Sequence, residues 1–90
     1  MVENYQELAN AIIVQASRDY INYFAVLKEL KKIDMSRLND KQKKKLEGKI
    51  NIAEADLNEV KSFFHSEWYK QLTNLDPNVI LNKLELEVAA

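Results

Sequence analysis

Leu46-Glu47-Gly48-Lys49-Ile50-Asn51-Ile52-Ala53-Glu54-Ala55-Asp56-Leu57-Asn58-Glu59-Val60-Lys61-Ser62-Phe63-Phe64 is the stretch that decides the fold. Leu46, Ile50, Ala53, Leu57, Val60 and Phe64 recur in it at steps of 4, 3, 4, 3 and 4. That spacing holds six apolar side chains on one stripe of an α-helix and suits an antiparallel helical partner. Asn39, with Gln42 three residues on, carries the capping-box signature of a helix start. The spacing therefore predicts a helix over about 40–65.

The partner lies upstream. Tyr5, Leu8, Ala9, Ile12, Ala16, Tyr20, Tyr23, Phe24, Leu27 and Leu30 follow helical spacing and predict a helix over about 5–33. Asn4 is its expected N-cap, with Glu7 as the capping-box partner. Lys28, Lys31 and Lys32 suit the negative end of the helix dipole. The apolar arc widens over Ala-Ile-Ile-Val-Gln-Ala, residues 11–16, which predicts neighbours on two sides. The link from Asp34 to Asn39 is short and polar apart from Met35 and Leu38, so the two helices form an αα-hairpin.

Downstream, Ser66 followed by Glu67 reads as a fresh N-cap with an acidic first turn. A short helix over about 67–73 follows, then a break at Thr73-Asn74-Leu75. Asp76-Pro77 is a second start signal, because Pro fits the first helical position and Asp caps it. The last helix spans about 77–88 and presents Ile80, Leu81, Leu84 and Val88. The expected fold is all-α: a long antiparallel helical hairpin with a short C-terminal helical pair packed on it, one helical domain over 1–90.

Composition agrees. Of 90 residues, 47% are hydrophobic and 30% charged, a balance that folds rather than stays disordered. One Gly and one Pro leave too few turn formers for an all-β fold. The absence of Cys excludes disulfides, thiolate metal sites and cysteine nucleophiles, and a single His is too few for a metal site built on histidines. No apolar run approaches the roughly 20 residues that span a bilayer. The start Met1-Val2-Glu3-Asn4 lacks the basic residues of a signal peptide, so a cytoplasmic protein without membrane partners is expected.

Two segments carry a resemblance. Phe63-Phe64-His65-Ser66-Glu67-Trp68-Tyr69-Lys70-Gln71-Leu72-Thr73-Asn74-Leu75-Asp76 contains a Phe-Phe-x-Ser-x-Trp block followed by Leu-Thr-x-Leu-Asp. Ile12-Ile13-Val14-Gln15-Ala16-Ser17-Arg18-Asp19-Tyr20 contains Gln-Ala and Asp-Tyr. Together they resemble a family of short, all-helical open reading frames carried by phages, prophages and integrative elements of Gram-positive bacteria. This chain has Pro77 after Asp76, where the family more often has Gly, and a charged middle of its own. The resemblance implies a mobile genetic element acting in a bacterial cytoplasm; it implies no reaction.

Several side chains stand out. Asp19 flanks the apolar stripe between Ala16 and Tyr23; it points to solvent or, if partly buried, needs donors from Arg18, Tyr20, Ser66 or the Trp68 indole. A structural network of Asp19, Tyr20, Ser66 and Trp68, tying the first helix to the Ser66–Trp68 corner, is expected. Phe64 lies on the seam and Trp68 continues it four residues later, whereas Phe63 and Tyr69 fall off it and need a cover or a partner. His65 has no diagnostic catalytic companion, and Ser66 lacks the strand-turn-helix elbow of a nucleophile. Gly48 sits in the body of a helix, a placement that costs about 1 kcal/mol relative to Ala.

Charge is the most informative pattern. From Lys28 to Lys49 nine cations face four anions, net +5, while the other residues hold four cations and ten anions, net −6. The turn near Asn39 gathers the cations at one end of the hairpin. Lys41, Lys43, Lys44, Lys45 and Lys49 crowd the first half of a helix whose dipole they oppose. The patch holds little Arg and no aromatic residue between Phe24 and Phe63, unlike nucleic-acid surfaces that interleave both.

The expected function is a non-enzymatic protein-interaction factor of a phage or mobile element, and the resemblance is what extends that expectation to inhibition of a host or defence protein. Its expected contact residues are Lys41, Lys43, Lys44, Lys45, Lys49, Phe63 and Tyr69. No catalytic, cofactor-binding or metal-binding residues are expected. A homodimer is favoured because the short C-terminal helices cover only part of the hairpin. Two other classes stay open: a nucleic-acid accessory protein touching phosphates through the lysines, and an oligomeric sponge holding a small anion between Lys41–Lys49 faces.

Overall fold

The computed structural model describes the backbone of residues 2–89 and the side chains of residues 6–88. Four helices follow in order: α1 (Val2–Lys31), α2 (Asp40–Phe64), α3 (Glu67–Leu72) and α4 (Pro77–Ala89). The described residues contain no strand. α1 and α2 pack along each other as the hairpin, and α4 returns along α1. The chain forms a rod of 58 × 23 × 18 Å.

Local chemistry sets the helix ends. Asn39 accepts from the Gln42 backbone N–H at 2.8 Å, and the Gln42 side chain accepts from the Asn39 N–H at 3.0 Å, closing the expected capping box. Ser66 caps α3 by accepting from the Tyr69 N–H at 3.1 Å. Asp76 accepts from the Asn78 N–H at 2.9 Å beside Pro77. The hairpin link contains a short 3-10 turn (Met35–Arg37) that the sequence reading treats as loop. Asp34 holds it by accepting from both the Ser36 N–H and the Ser36 hydroxyl, and these bonds, the hydroxyl's foremost, hold the Asp34 carboxyl below its ordinary range.

The boundaries differ in detail from expectation. α1 begins at Val2, which places Asn4 inside the helix rather than at its cap, and ends at Lys31 rather than residue 33. The Asn4 side chain lies outside the described residues. α2 stops at Phe64 and α3 at Leu72, each one residue early, and α4 reaches Ala89.

The expected seam of α2 forms the core face: Leu46, Ala53, Leu57 and Phe64 are buried, with Ile50 and Val60 half-buried. From α1 come Tyr20 and Leu27, with Ile13, Ala16, Tyr23, Phe24 and Leu30 packed against them. Leu8 departs from the pattern. It has the spacing of a core residue but is 60% exposed, because helical spacing fixes a face without supplying an element to cover it.

Aromatic rings join the elements. Tyr20 stacks on Phe24 at 6.0 Å between centroids and meets Phe64 edge-on at 6.5 Å. Phe64 meets Tyr69 of α3 at 5.4 Å. The two buried hydroxyls then reach the C-terminal segment: Tyr20 donates to Glu85 Oε1 at 2.7 Å, and Tyr69 donates to the Leu75 carbonyl at 3.1 Å. Burial, chiefly, and the Glu85 carboxylate push the Tyr20 phenol well above its ordinary range. Burial, chiefly, and Asp76 raise that of Tyr69.

A phenol whose pKa is raised on folding stabilises the folded state fully below the unfolded value, near 10, and loses that contribution as pH climbs beyond it. The melting temperature should fall as pH rises past about 10, by circular dichroism, and Tyr20→Phe should blunt the fall. At neutral pH, Tyr20→Phe should cost about 1–2 kcal/mol in urea unfolding, since the lost bond runs to a carboxylate.

Candidate functional site

The break between α2 and α3 decides which aromatic ring faces out. Phe64 is the last seam residue inside α2; His65 (φ −99°, ψ 8°) and Ser66 (φ −83°, ψ 160°) then leave helical geometry before α3 starts. The 3.6-residue phase does not carry across such a break. Trp68, four residues beyond Phe64, therefore misses the core and is 55% exposed, while Tyr69 turns in and is 1% exposed. The expected roles are exchanged. Tyr69 is a core residue unable to touch a partner, and Trp68 is the exposed ring. Phe63 bridges them, edge-on to Trp68 at 5.7 Å and to Tyr69 at 5.9 Å.

The expected tie from Asp19 to the Ser66–Trp68 corner is not made. Asp19 accepts from Gln15 Nε2 at 2.9 Å, one turn back on its own helix. The Ser66 hydroxyl is committed to the Phe63 carbonyl at 2.6 Å while its oxygen caps α3. That leaves Ser66 a structural cap and puts the real tie one residue along, at Tyr20. The sequence reading missed its partner Glu85, which lies 65 positions away with no local signal to mark it.

Asp19 and Trp68 do meet across an open groove of about 420 Å³ between α1 and α2. Ile12, Ala16, Val60 and Phe63 supply apolar lining, Tyr23 and Trp68 add aromatic rings, and Asp19, Asp56 and Glu59 add carboxylates. The groove opens along Ile12, Ala16, Asp19 and Tyr23 of α1, whereas α4 sits by Phe24 and Lys28. The wide apolar arc of residues 11–16 thus does serve two sides: Ile13 packs on the core, Ile12 lines the groove, and Val14 stays exposed.

At the hairpin end, Lys41, Lys44, Lys45 and Lys49 are exposed and Lys43 is half-buried. Among the described residues none of the five joins an ion pair; the nearest cross-hairpin pair is Lys31–Glu54 at 3.5 Å. Lys45 and Lys49 rim a small hollow formed by Leu30, Ile33, Leu38 and Leu46. Phe63 lies eighteen residues beyond Lys45 on the same helix, about 27 Å at 1.5 Å per residue, so the cations and the aromatic groove are separate surfaces. A Cβ built on Gly48 meets nothing within 4 Å, and nothing in this chain accounts for a glycine there.

His65 is exposed at the end of α2. Among the described residues no three His, Cys, Asp or Glu side chains converge as a metal-binding group, the groove carboxylates included. No helix of the described residues is long and apolar enough to cross a membrane. The groove offers apolar contact, ring edges and negative charge to whatever enters it.

The exchange of rings has a direct test in urea unfolding. Tyr69→Ala should cost about 3–5 kcal/mol as a buried aromatic truncation, and Trp68→Ala about 1 kcal/mol or less as a surface change. Comparison with protein-family models, with curated proteins and with solved structures finds no match to this chain.

Proposed function

We propose that this chain is a non-enzymatic interaction factor of a phage or mobile element that works by docking on protein surfaces. The observation that carries the reading is the groove: exposed Trp68 and half-buried Phe63 stand beside three carboxylates on a face that stays open among the described residues. Exposed aromatic rings set in a pocket are the residue types that dominate binding energy at interfaces, and surrounding charge selects the partner and speeds encounter. The fitting surface is apolar at its centre and basic at its edge. The mobile-element setting and a host or defence target come from the resemblance of the Phe-Phe-x-Ser-x-Trp segment. A cytoplasmic site of action and a homodimer belong to the same proposal.

The five lysines without ion pairs favour a second reading, contact with nucleic-acid phosphates at the hairpin end. It predicts binding that drops steeply between about 50 and 200 mM salt, as released counterions require.

Capture with tagged protein from nuclease-treated bacterial lysate separates the two. The interaction reading expects a retained protein that is lost with Trp68→Ala or Asp56→Lys. Retention by those groove variants, with loss only on Lys41→Glu, Lys44→Glu and Lys45→Glu combined, would move the contact to the basic end. Recovery of nucleic acid alone, abolished by nuclease, would overturn the reading.

A further inference from the structure

A second stripe runs along α2 one residue ahead of the core seam: Lys45, Lys49, Ile52, Asp56, Glu59 and Phe63, again at steps of 4, 3, 4, 3 and 4. Asp56, Glu59 and Phe63 line the groove, Ile52 is 65% exposed, and Lys45 and Lys49 are exposed. The spacing keeps all six side chains on one face of α2, with exposed Ile52 at its middle, two cations toward one end and two anions toward the other. Among the described residues none of its four charges has an ion-pair partner within the chain.

The order of signs is self-complementary in one orientation. Lys45 and Glu59 each lie seven residues from Ile52, on opposite sides; Lys49 and Asp56 lie three and four residues away. Laid antiparallel on itself with Ile52 at the centre, the stripe sets Lys45 against Glu59 of a second copy, Lys49 against Asp56, and Ile52 against Ile52. The twofold axis repeats each pair, giving four opposite-charge pairs around an apolar centre. A parallel arrangement in register would set Lys45 on Lys45 and Glu59 on Glu59, which repel. The same antiparallel register carries Phe63 and Trp68 toward the Ile33–Leu38 hollow at the hairpin end of the second copy. Gly48, bare of contacts, lies one turn from Ile52 and gives the second backbone room to approach.

We propose that the groove face docks a second copy of this chain, the two α2 helices packing antiparallel across Ile52. This rests on the reading of that face as a docking surface and names the second copy as the protein that occupies it when the chain is alone. The contact is isologous, so it closes at a dimer rather than growing into a filament. It sets the two lysine-rich ends at opposite poles of the pair, against a shared anion cavity between Lys41–Lys49 faces.

Sedimentation equilibrium of the full chain tests the pairing, with circular dichroism confirming that each variant keeps its helices. The wild-type chain should be a dimer that weakens as salt is raised. Lys45→Glu with Lys49→Glu makes the stripe wholly acidic, and Asp56→Lys with Glu59→Lys makes it wholly basic. Each should raise the dimer dissociation constant by about a hundredfold or more, as opposed like charges do, and Ile52→Glu should do the same. Mixing the acidic and basic variants should restore a one-to-one dimer. A monomeric wild type, a dimer indifferent to Ile52→Glu, or a mixture that stays monomeric would each overturn the proposal. A monomer whose capture of another protein still depends on Trp68 would end the second-copy inference and leave the docking reading standing, whereas capture independent of the groove residues would end the reading itself.

Discussion

A phenol buried away from water has to find an acceptor, and two such groups fix the C-terminal segment, one by tying α4 to the hairpin and one by holding the link that leads into α4. Tyr20 is fully buried in the hairpin, and its hydroxyl finds Glu85 on α4 at 2.7 Å. Tyr69 is buried at the α2–α3 break, and its hydroxyl finds the Leu75 carbonyl in the link to α4 at 3.1 Å. Each ring contributes apolar contact, which is undirected; each hydroxyl adds a direction. Leu81 and Leu84 give α4 an apolar face, and the Tyr20–Glu85 bond selects how that face lies along α1. No side-chain N or O atom is left buried without a partner among the described residues.

Covering one flank leaves the other open. α4 lies by Phe24 and Lys28, so Ile12, Tyr23 and Phe63 remain on a groove that stays open among the described residues. The carboxylates Asp19, Asp56 and Glu59 meet there, while the cations gather at the hairpin end, and the rod carries its two signs on separate surfaces. A near-neutral chain can thereby hold strong local fields, which act on encounter and orientation more than on fold stability.

Much of this was legible in the residues. The seam from Leu46 to Phe64, the Asn39–Gln42 capping box, the Ser66 cap and the Asp76-Pro77 start all appear where their spacing placed them, because each depends on partners within one or two turns. Asp34 with Ser36 two residues on is likewise a local turn signal, and it holds the 3-10 turn of the hairpin link. The ring assignment at α3 was not legible: counting four from Phe64 puts Trp68 inside, and the count fails once His65 and Ser66 break the helical phase. Leu8 shows the same limit, with core spacing and an exposed side chain.

The sequence by itself determined the helices, the capped starts of α2, α3 and α4, the hairpin and the separation of charge, since all of these follow from local hydrogen bonding and periodicity along one chain. Only the tertiary structure decided that Tyr69 is core and Trp68 surface, that Glu85 rather than Asp19 holds the long-range bond, and that the carboxylates of α1 and α2 share a groove. Each of those depends on the rotation of one helix about its axis relative to another. Rotation is set by packing between residues far apart in sequence, and no local pattern of spacing records it.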